Sequence, residues 1–338
     1  MQPFSASEKG FFNSSIEINS RQKGVVALRH ILTLKQENLH GSFSKDYKPV
    51  LTVESGDSIQ LQTLDIEWGF SESATAKYNT FNSSQQEERR GHPMIGPIAV
   101  KNAKPGMVLE IKINDIVPGW YGRNWSGGIT NWQNLALNIT EDERIQLDWR
   151  LDSQLMTGST NINGKTFTVS LKPFMGVMGV APKEEGVHST TPPRYCGGNI
   201  DCKELVKGSS LFLPIAVENA LFSIGDGHAL QGDGEISGTA IECPMELVDI
   251  TLITRNDMKL QAPMAKTPSG WITFGFHEDL NIAASDALNE MITFMQNTYQ
   301  ISRTEAAALS SAAVDLRITQ VVNGVKGVHA VLPFGALR

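Results

Sequence analysis

Short apolar runs alternate with glycine- and proline-bearing turns along most of the chain. Val50-Leu51-Thr52-Val53 runs into the turn Glu54-Ser55-Gly56-Asp57, after which Ser58 to Leu64 alternates with a period of two. That spacing buries one face of a strand and wets the other. The same grammar recurs in Gly96 to Val100, a turn at Lys104-Pro105-Gly106, and Val108 to Ile113. It continues in Thr166 to Leu171, Ser210 to Val217 and Gly234 to Ile241. Short strands separated by regular turn signals predict a mainly β fold, a β-sandwich or barrel. The period changes only near the C-terminus. Leu280, Ile282, Ala283, Ala287, Leu288, Met291, Ile292 and Met295 form the apolar stripe of a helix within 279–299. Behind it, Ser302-Arg303-Thr304-Glu305 has the form of a capping box and predicts a second helix. Val328 to Leu332 reads as a final strand. The polar, glycine-bearing stretch 151–165 suggests a domain boundary near residue 150, dividing 1–150 from 151–338.

Composition narrows the classes. With 338 residues, 41% of them hydrophobic and 19% charged, the chain can bury a large core. Its net charge is −7 and it shows no basic stripe, which argues against a nucleic-acid partner. Arg89-Arg90 follow Glu87-Glu88 and read as solvated surface. The first thirty residues carry Glu8, Glu17, Arg21 and Lys23 and no signal-peptide core. No run approaches the eighteen or so apolar residues of a membrane helix. No membrane partner and a cytoplasmic location are therefore expected. Cys196, Cys202 and Cys243 are too few for a disulfide framework and form no C-x-x-C pair. Free thiols in a reducing compartment explain them more simply than a metal role for Cys196 and Cys202.

The densest chemistry lies between Ser223 and Glu235, where Asp226, His228, Gln231, Asp233 and Glu235 are interleaved with glycines. Carboxylate and imidazole together suit a divalent metal such as zinc or manganese. On extended backbone the spacing of Asp226 and His228 places both on one face, and Gln231, Asp233 and Glu235 on another. The bland alternative is an acidic turn that holds calcium and only shapes loops, although the EF-hand spacing is absent. A second polar stretch, Arg194 to Asp201, ends in an aspartate that serves equally well as a cap. His40, before Gly41, and His92, between Gly91 and Pro93, are single loop histidines that matter only if the fold carries them to His228. His30, His188, His277 and His329 lack such context. The chain has no G-x-S-x-G elbow and no phosphate loop. An amidase-signature serine–lysine site and a nitrilase-like cysteine site likewise find no support.

At these residues the chain resembles the acetamidase/formamidase family. The stretch GGNIDCKELVKGSSLFLPIAVENALFSIGDGHALQGDGEISGTAIE, from Gly197 to Glu242, carries the resemblance most closely. Weaker similarity covers Asn38 to Gly41, Pro49 to Asp57, His92 to Gly106, Met175 to Pro182 and Ser302 to Pro333. Met107 stands where the family usually has aspartate. The resemblance implies a β-sandwich, jelly-roll-like core with a C-terminal helical segment, and hydrolysis of small primary amides. A bound divalent cation, zinc in the first instance and calcium as the alternative, would activate carbonyl and water. On this reading Asp201 and His228 are expected as metal ligands, with Asp226, His40 and His92 as further candidates. Glu235 is the expected general base, followed by Asp233 and Glu242. Asn199 and Gln231 are expected to bind the amide or the developing oxyanion. A homo-oligomer, in the simplest case a dimer, is expected. The rival reading is a non-catalytic β-sandwich binding protein with a structural calcium loop.

Overall fold

A computed structural model describes residues 27–85, 91–141 and 143–338. The N-terminal charges and the Glu87–Arg90 run discussed above lie outside the described residues. Two large sheets dominate. The first has nine strands, with Ser58–Leu61, Met245–Arg255, Val108–Pro118 and Ser210–Pro214 as sequential neighbours. It then runs through Met264–Lys266, Gly270–His277 and Val325–Pro333 to an outer strand, Asp315–Asn323. The second, six-stranded sheet places Phe222–His228 between Phe174–Val180 and Met94–Val100, with Gly197–Asn199 beyond Phe174–Val180.

One core joins the sheets. Ile59, Ile111, Leu213, Ile250 and Ile272 of the first share it with Ile98, Met178, Phe222 and Ile224 of the second. That shared layer makes the architecture sandwich-like, as expected of the sequence. The turn 54–57 and the strands on either side of it form where the period-two pattern puts them. Both large sheets draw strands from either side of residue 150, which itself lies inside the strand Ile145–Asp152.

Three α-helices occur among the described residues: α1 (Trp132–Leu137), α2 (Leu280–Tyr299) and α3 (Arg303–Ala313). The short α1 leaves no signal in the apolar pattern. Asp279 caps α2, accepting from the amides of Asn281 and Ile282. Ser302 and Glu305 form the reciprocal capping box at the start of α3. Ala283, Ala287, Met291 and Met295 of α2 pack on Val328, Ala330 and Leu332. The alternate residue Val331 of that strand faces the main core. Gly275 allows the close approach, because a Cβ there would lie 2.0 Å from the Ala283 carbonyl oxygen. Among the described residues, no helix is long and apolar enough to cross a membrane.

One expected strand is absent. Gly234 to Ile241 is a series of turns, with Gly234, Glu235 and Gly238 all at positive φ. Backbone in the left-handed region cannot keep a two-residue alternation.

Candidate active site

The site lies where the Phe222–His228 end of the smaller sheet meets the outer strand Asp315–Asn323 of the larger. His228 closes its strand, and the Asp226 side chain two residues earlier meets it, as expected, although the Asp226 backbone is left-handed rather than extended. Their side chains approach to 3.3 Å, from His228 Nε2 to Asp226 Oδ2. Glu242 Oε2 lies 3.2 Å from the same nitrogen. A single bridge between His228 and Glu242 brings that carboxylate in. The Glu242 backbone is held by paired bonds with Arg123, and its Oε1 accepts from the Ala240 amide. Phe174 packs edge-on against the His228 ring, with centroids 5.0 Å apart.

Asp201 and Glu235 reach the cluster from loops. Ligand atoms of Asp201, His228 and Glu235 lie within 4.8 Å of one another, as do those of Asp226, His228 and Glu242. All five residues are buried. Asp201, Asp226 and Glu235 hold φ of 53°, 61° and 47°, a conformation uncommon for residues with a side chain and frequent at functional positions.

The electrostatics follow from burial. Loss of water, together with the neighbouring negative charges, pushes Asp201, Glu235 and Glu242 up, while His228 pulls them the other way. Asp226 is lowered: burial opposes ionisation there, but His228 and then His92 outweigh it. His228 is raised, because Glu242 and Asp226 outweigh the cost of burying its charge. Asp201 Oδ1, Glu235 Oε2 and His228 Nδ1 have no hydrogen-bond partner among the described residues, while His228 Nε2 meets only the carboxylates of Asp226 and Glu242. Such atoms are costly to bury without a ligand. Carboxylate oxygens and imidazole nitrogen converging on one point are the donor set of a divalent cation, so these residues fit a metal.

The other expected residues fall differently. His40 is turned away from the cluster, its Nδ1 on the Ser42 carbonyl at 2.7 Å and its Nε2 on Ser223 Oγ at 3.1 Å. His92 sits at the edge, close enough to act on Asp226, with Nδ1 2.7 Å from Thr190 Oγ1. Neither ring is among the grouped metal donors. Asp233 does not join Glu235. The positive φ at Gly234 and Glu235 sends the two carboxylates apart, and Asp233 pairs with Lys203 at 2.9 Å. The shared face expected for Gln231, Asp233 and Glu235 is therefore not formed. Gln231 donates from Nε2 to the Asp201 carbonyl at 2.8 Å, and Asn199 donates from Nδ2 to the Thr191 carbonyl at 3.1 Å. Among the described residues, the carbonyl oxygen of each amide has no hydrogen-bond partner. The three cysteines are free and buried, and none is among the grouped donors. Burial pushes the Cys196 thiol up to about 12 and raises Cys202 and Cys243 as well, so none is a ready thiolate.

Two residues at the site carried no chemical signal. Gly176 forms its floor: a Cβ there would lie 2.4 Å from Asp226 Oδ2, 2.6 Å from Asp201 Oδ1 and 2.8 Å from His228 Cε1. Asn323 donates to Asp201 Oδ2 at 2.6 Å and orients that carboxylate. Both fall inside blocks of family resemblance, and that was the only hint available.

Fold and site thus define a β-sandwich protein with a buried carboxylate–imidazole centre. The chain belongs to the Acetamidase/Formamidase family, whose model matches residues 26–189 and 184–335. An acetamidase from Mycolicibacterium smegmatis is 28% identical over 250 residues, covering 54% of this chain and 61% of that protein. A solved structure from Thermoanaerobacter tengcongensis, described as a predicted acetamidase/formamidase, shares 29% identity. Its TM-score is 0.76, over 91% of this chain and 96% of that one. An acetamidase from Bacillus halodurans also shares 29%, with a TM-score of 0.75 over 89% of this chain and 97% of the other.

Proposed function

We propose that the protein hydrolyses small linear primary amides, of the size of formamide and acetamide, to carboxylate and ammonia with the help of a divalent cation at His228. Membership of the family makes the chain an amidohydrolase. The names of the relatives support the choice of substrate. The observation that carries the metal reading is the convergence of buried donor atoms at His228, with Asp201 Oδ1 and Glu235 Oε2 lacking any hydrogen-bond partner among the described residues. An imidazole among the donors favours a zinc-like ion over calcium, which takes oxygen ligands only.

Asp201 and His228 are the residues proposed to hold the cation, with Asp226 and Glu242 bracing the imidazole. Bound there, a divalent cation supplies Lewis-acid polarisation of the amide carbonyl and makes water more acidic. Glu235 Oε2 then takes the proton from water and returns it to the leaving nitrogen, so that ammonia departs neutral. The free carbonyl oxygens of Asn199 and Gln231 are hydrogen-bond acceptors. They suit the two N–H groups of a primary amide, and a developing oxyanion would need donors instead. A cytoplasmic location and a homodimer belong to the same proposal, and the particle mass in solution, against 37.0 kDa for one chain, tests the second.

The test combines elemental analysis with ammonia release from formamide, acetamide and propionamide. Chelation should abolish release and zinc or manganese should restore it. His228→Ala should lose metal and activity together. Glu235→Gln should keep metal while kcat falls by roughly 10² to 10⁴. Full activity in rigorously metal-free protein would overturn the mechanism. If Glu235→Gln strips the metal, Glu235 is a ligand and Glu242 inherits the proton transfer.

A further inference from the structure

Beside the His228 centre lies a second convergence of metal-type donors. Glu204, Asp233 and His329 each offer a ligand atom, and these atoms lie within 4.8 Å of one another. His329 is fully buried on the strand Val325–Pro333, and its Nε2 has no hydrogen-bond partner among the described residues. Its Nδ1 lies 2.8 Å from Thr319 Oγ1 on the neighbouring strand. The tautomer that donates Nδ1–H to Thr319 leaves the lone pair on Nε2, the nitrogen without a partner.

Two basic residues are also present. Lys203 Nζ contacts Asp233 Oδ2 at 2.9 Å, and Arg317 Nη1 contacts Glu204 Oε1 at 2.9 Å. Taken alone, these contacts describe a salt-bridge network that needs no ion. That reading leaves the buried imidazole nitrogen unexplained, and a polar atom buried without a partner is destabilising. Metal-bound imidazoles are commonly held by a hydrogen bond at the far ring nitrogen, and ligating carboxylates are hydrogen-bonded in turn. Thr319, Lys203 and Arg317 occupy those places.

We propose that Glu204, Asp233 and His329 form a second divalent-cation site, of zinc type, separate from the His228 centre. The two sites share one loop. The Gly234 amide bonds the Thr319 carbonyl, and the Val321 amide bonds the Gly234 carbonyl, clamping the loop on the outer strand. Asp233 leaves this clamp towards His329, and Glu235 leaves it towards His228. A cation at the second site pins the loop that carries Glu235, and so acts on the first site through position.

The test counts ions. Wild-type protein and the variants His329→Gln, Asp233→Asn, His228→Ala and His228→Ala/Asp233→Asn are dialysed against Zn²⁺, and bound zinc per chain is measured by elemental analysis. Thermal melts check that each variant is folded. Two ions are expected for wild type, one for each single variant and none for the double variant. Asp233 is partly exposed, so Asp233→Asn keeps the test valid if His329→Gln does not fold. Zinc binding unchanged in Asp233→Asn and in folded His329→Gln overturns the proposal. So does a wild type that binds one ion, lost only in His228→Ala. One ion lost with Asp233→Asn but kept in His228→Ala supports the second site and overturns the metal reading of the first.

Discussion

Gly176 shows how one residue can govern the centre without carrying any chemistry. Its missing Cβ leaves the space in which Asp201, Asp226 and His228 converge. Gly176→Ala should therefore displace both carboxylates by an ångström or so and cost at least about a hundredfold in kcat, with the fold intact by circular dichroism. A near-wild-type rate and metal content would show that the floor is looser than the geometry requires. The cysteines make the opposite case. They are buried and their thiols are held protonated, so Cys196→Ala, Cys202→Ala and Cys243→Ala should each keep most of the activity. A loss above about a hundredfold in a folded variant would move that thiol into the mechanism.

Among the elements, the turn 54–57 ties three strands together through one side chain. Asp57 is buried, and its carboxylate accepts from the Leu28 amide at 2.8 Å, from His30 at 2.9 Å and from the Glu54 amide at 3.0 Å. Burial alone would raise Asp57; the Leu28 amide, His30 and the Glu54 amide outweigh it and leave it below the usual carboxylate range. A carboxylate lowered in the folded state contributes stability that is present above its unfolded value, about 3.9, and is lost as pH falls through the folded one. Denaturant melts between pH 6 and pH 3 should lose less stability in Asp57→Asn than in wild type, from a lower start. Parallel pH profiles for the two proteins would count against this role. The helices need no such tie, since Asp279, Ser302 and Glu305 satisfy their first amides locally. Of the two C-terminal helices, α3 was legible in the sequence through its capping box and α2 through its apolar stripe.

At the scale of the whole molecule, the sandwich holds four buried carboxylates around one imidazole, an excess of negative charge that a cation would neutralise. Ligand binding to the folded state alone stabilises it by about 2.7 kcal/mol at a hundredfold excess over Kd. Chelation should thus lower the Tm by several degrees, and zinc should restore it; a Tm indifferent to chelation would argue that no cation occupies the centre. How the sandwich assembles this cluster bears on what could be read beforehand. Local spacing determined the β-rich class, the turn at 54–57, the two C-terminal helices and the meeting of Asp226 with His228, because strand and helix periods and capping are short-range effects. The polar stretches brought Asp201 and Glu235 into consideration, and the family resemblance added Glu242 and gave Asp201 its expected role as a ligand. Only the tertiary structure separated Asp233 from Glu235, turned His40 towards Ser223, and set Gly176 and Asn323 against Asp201. Those outcomes depend on left-handed backbone at a few positions and on a strand more than a hundred residues away closing over the loop. Neither leaves a mark in the apolar pattern, because the pattern records which side chains avoid water and not which distant backbones meet.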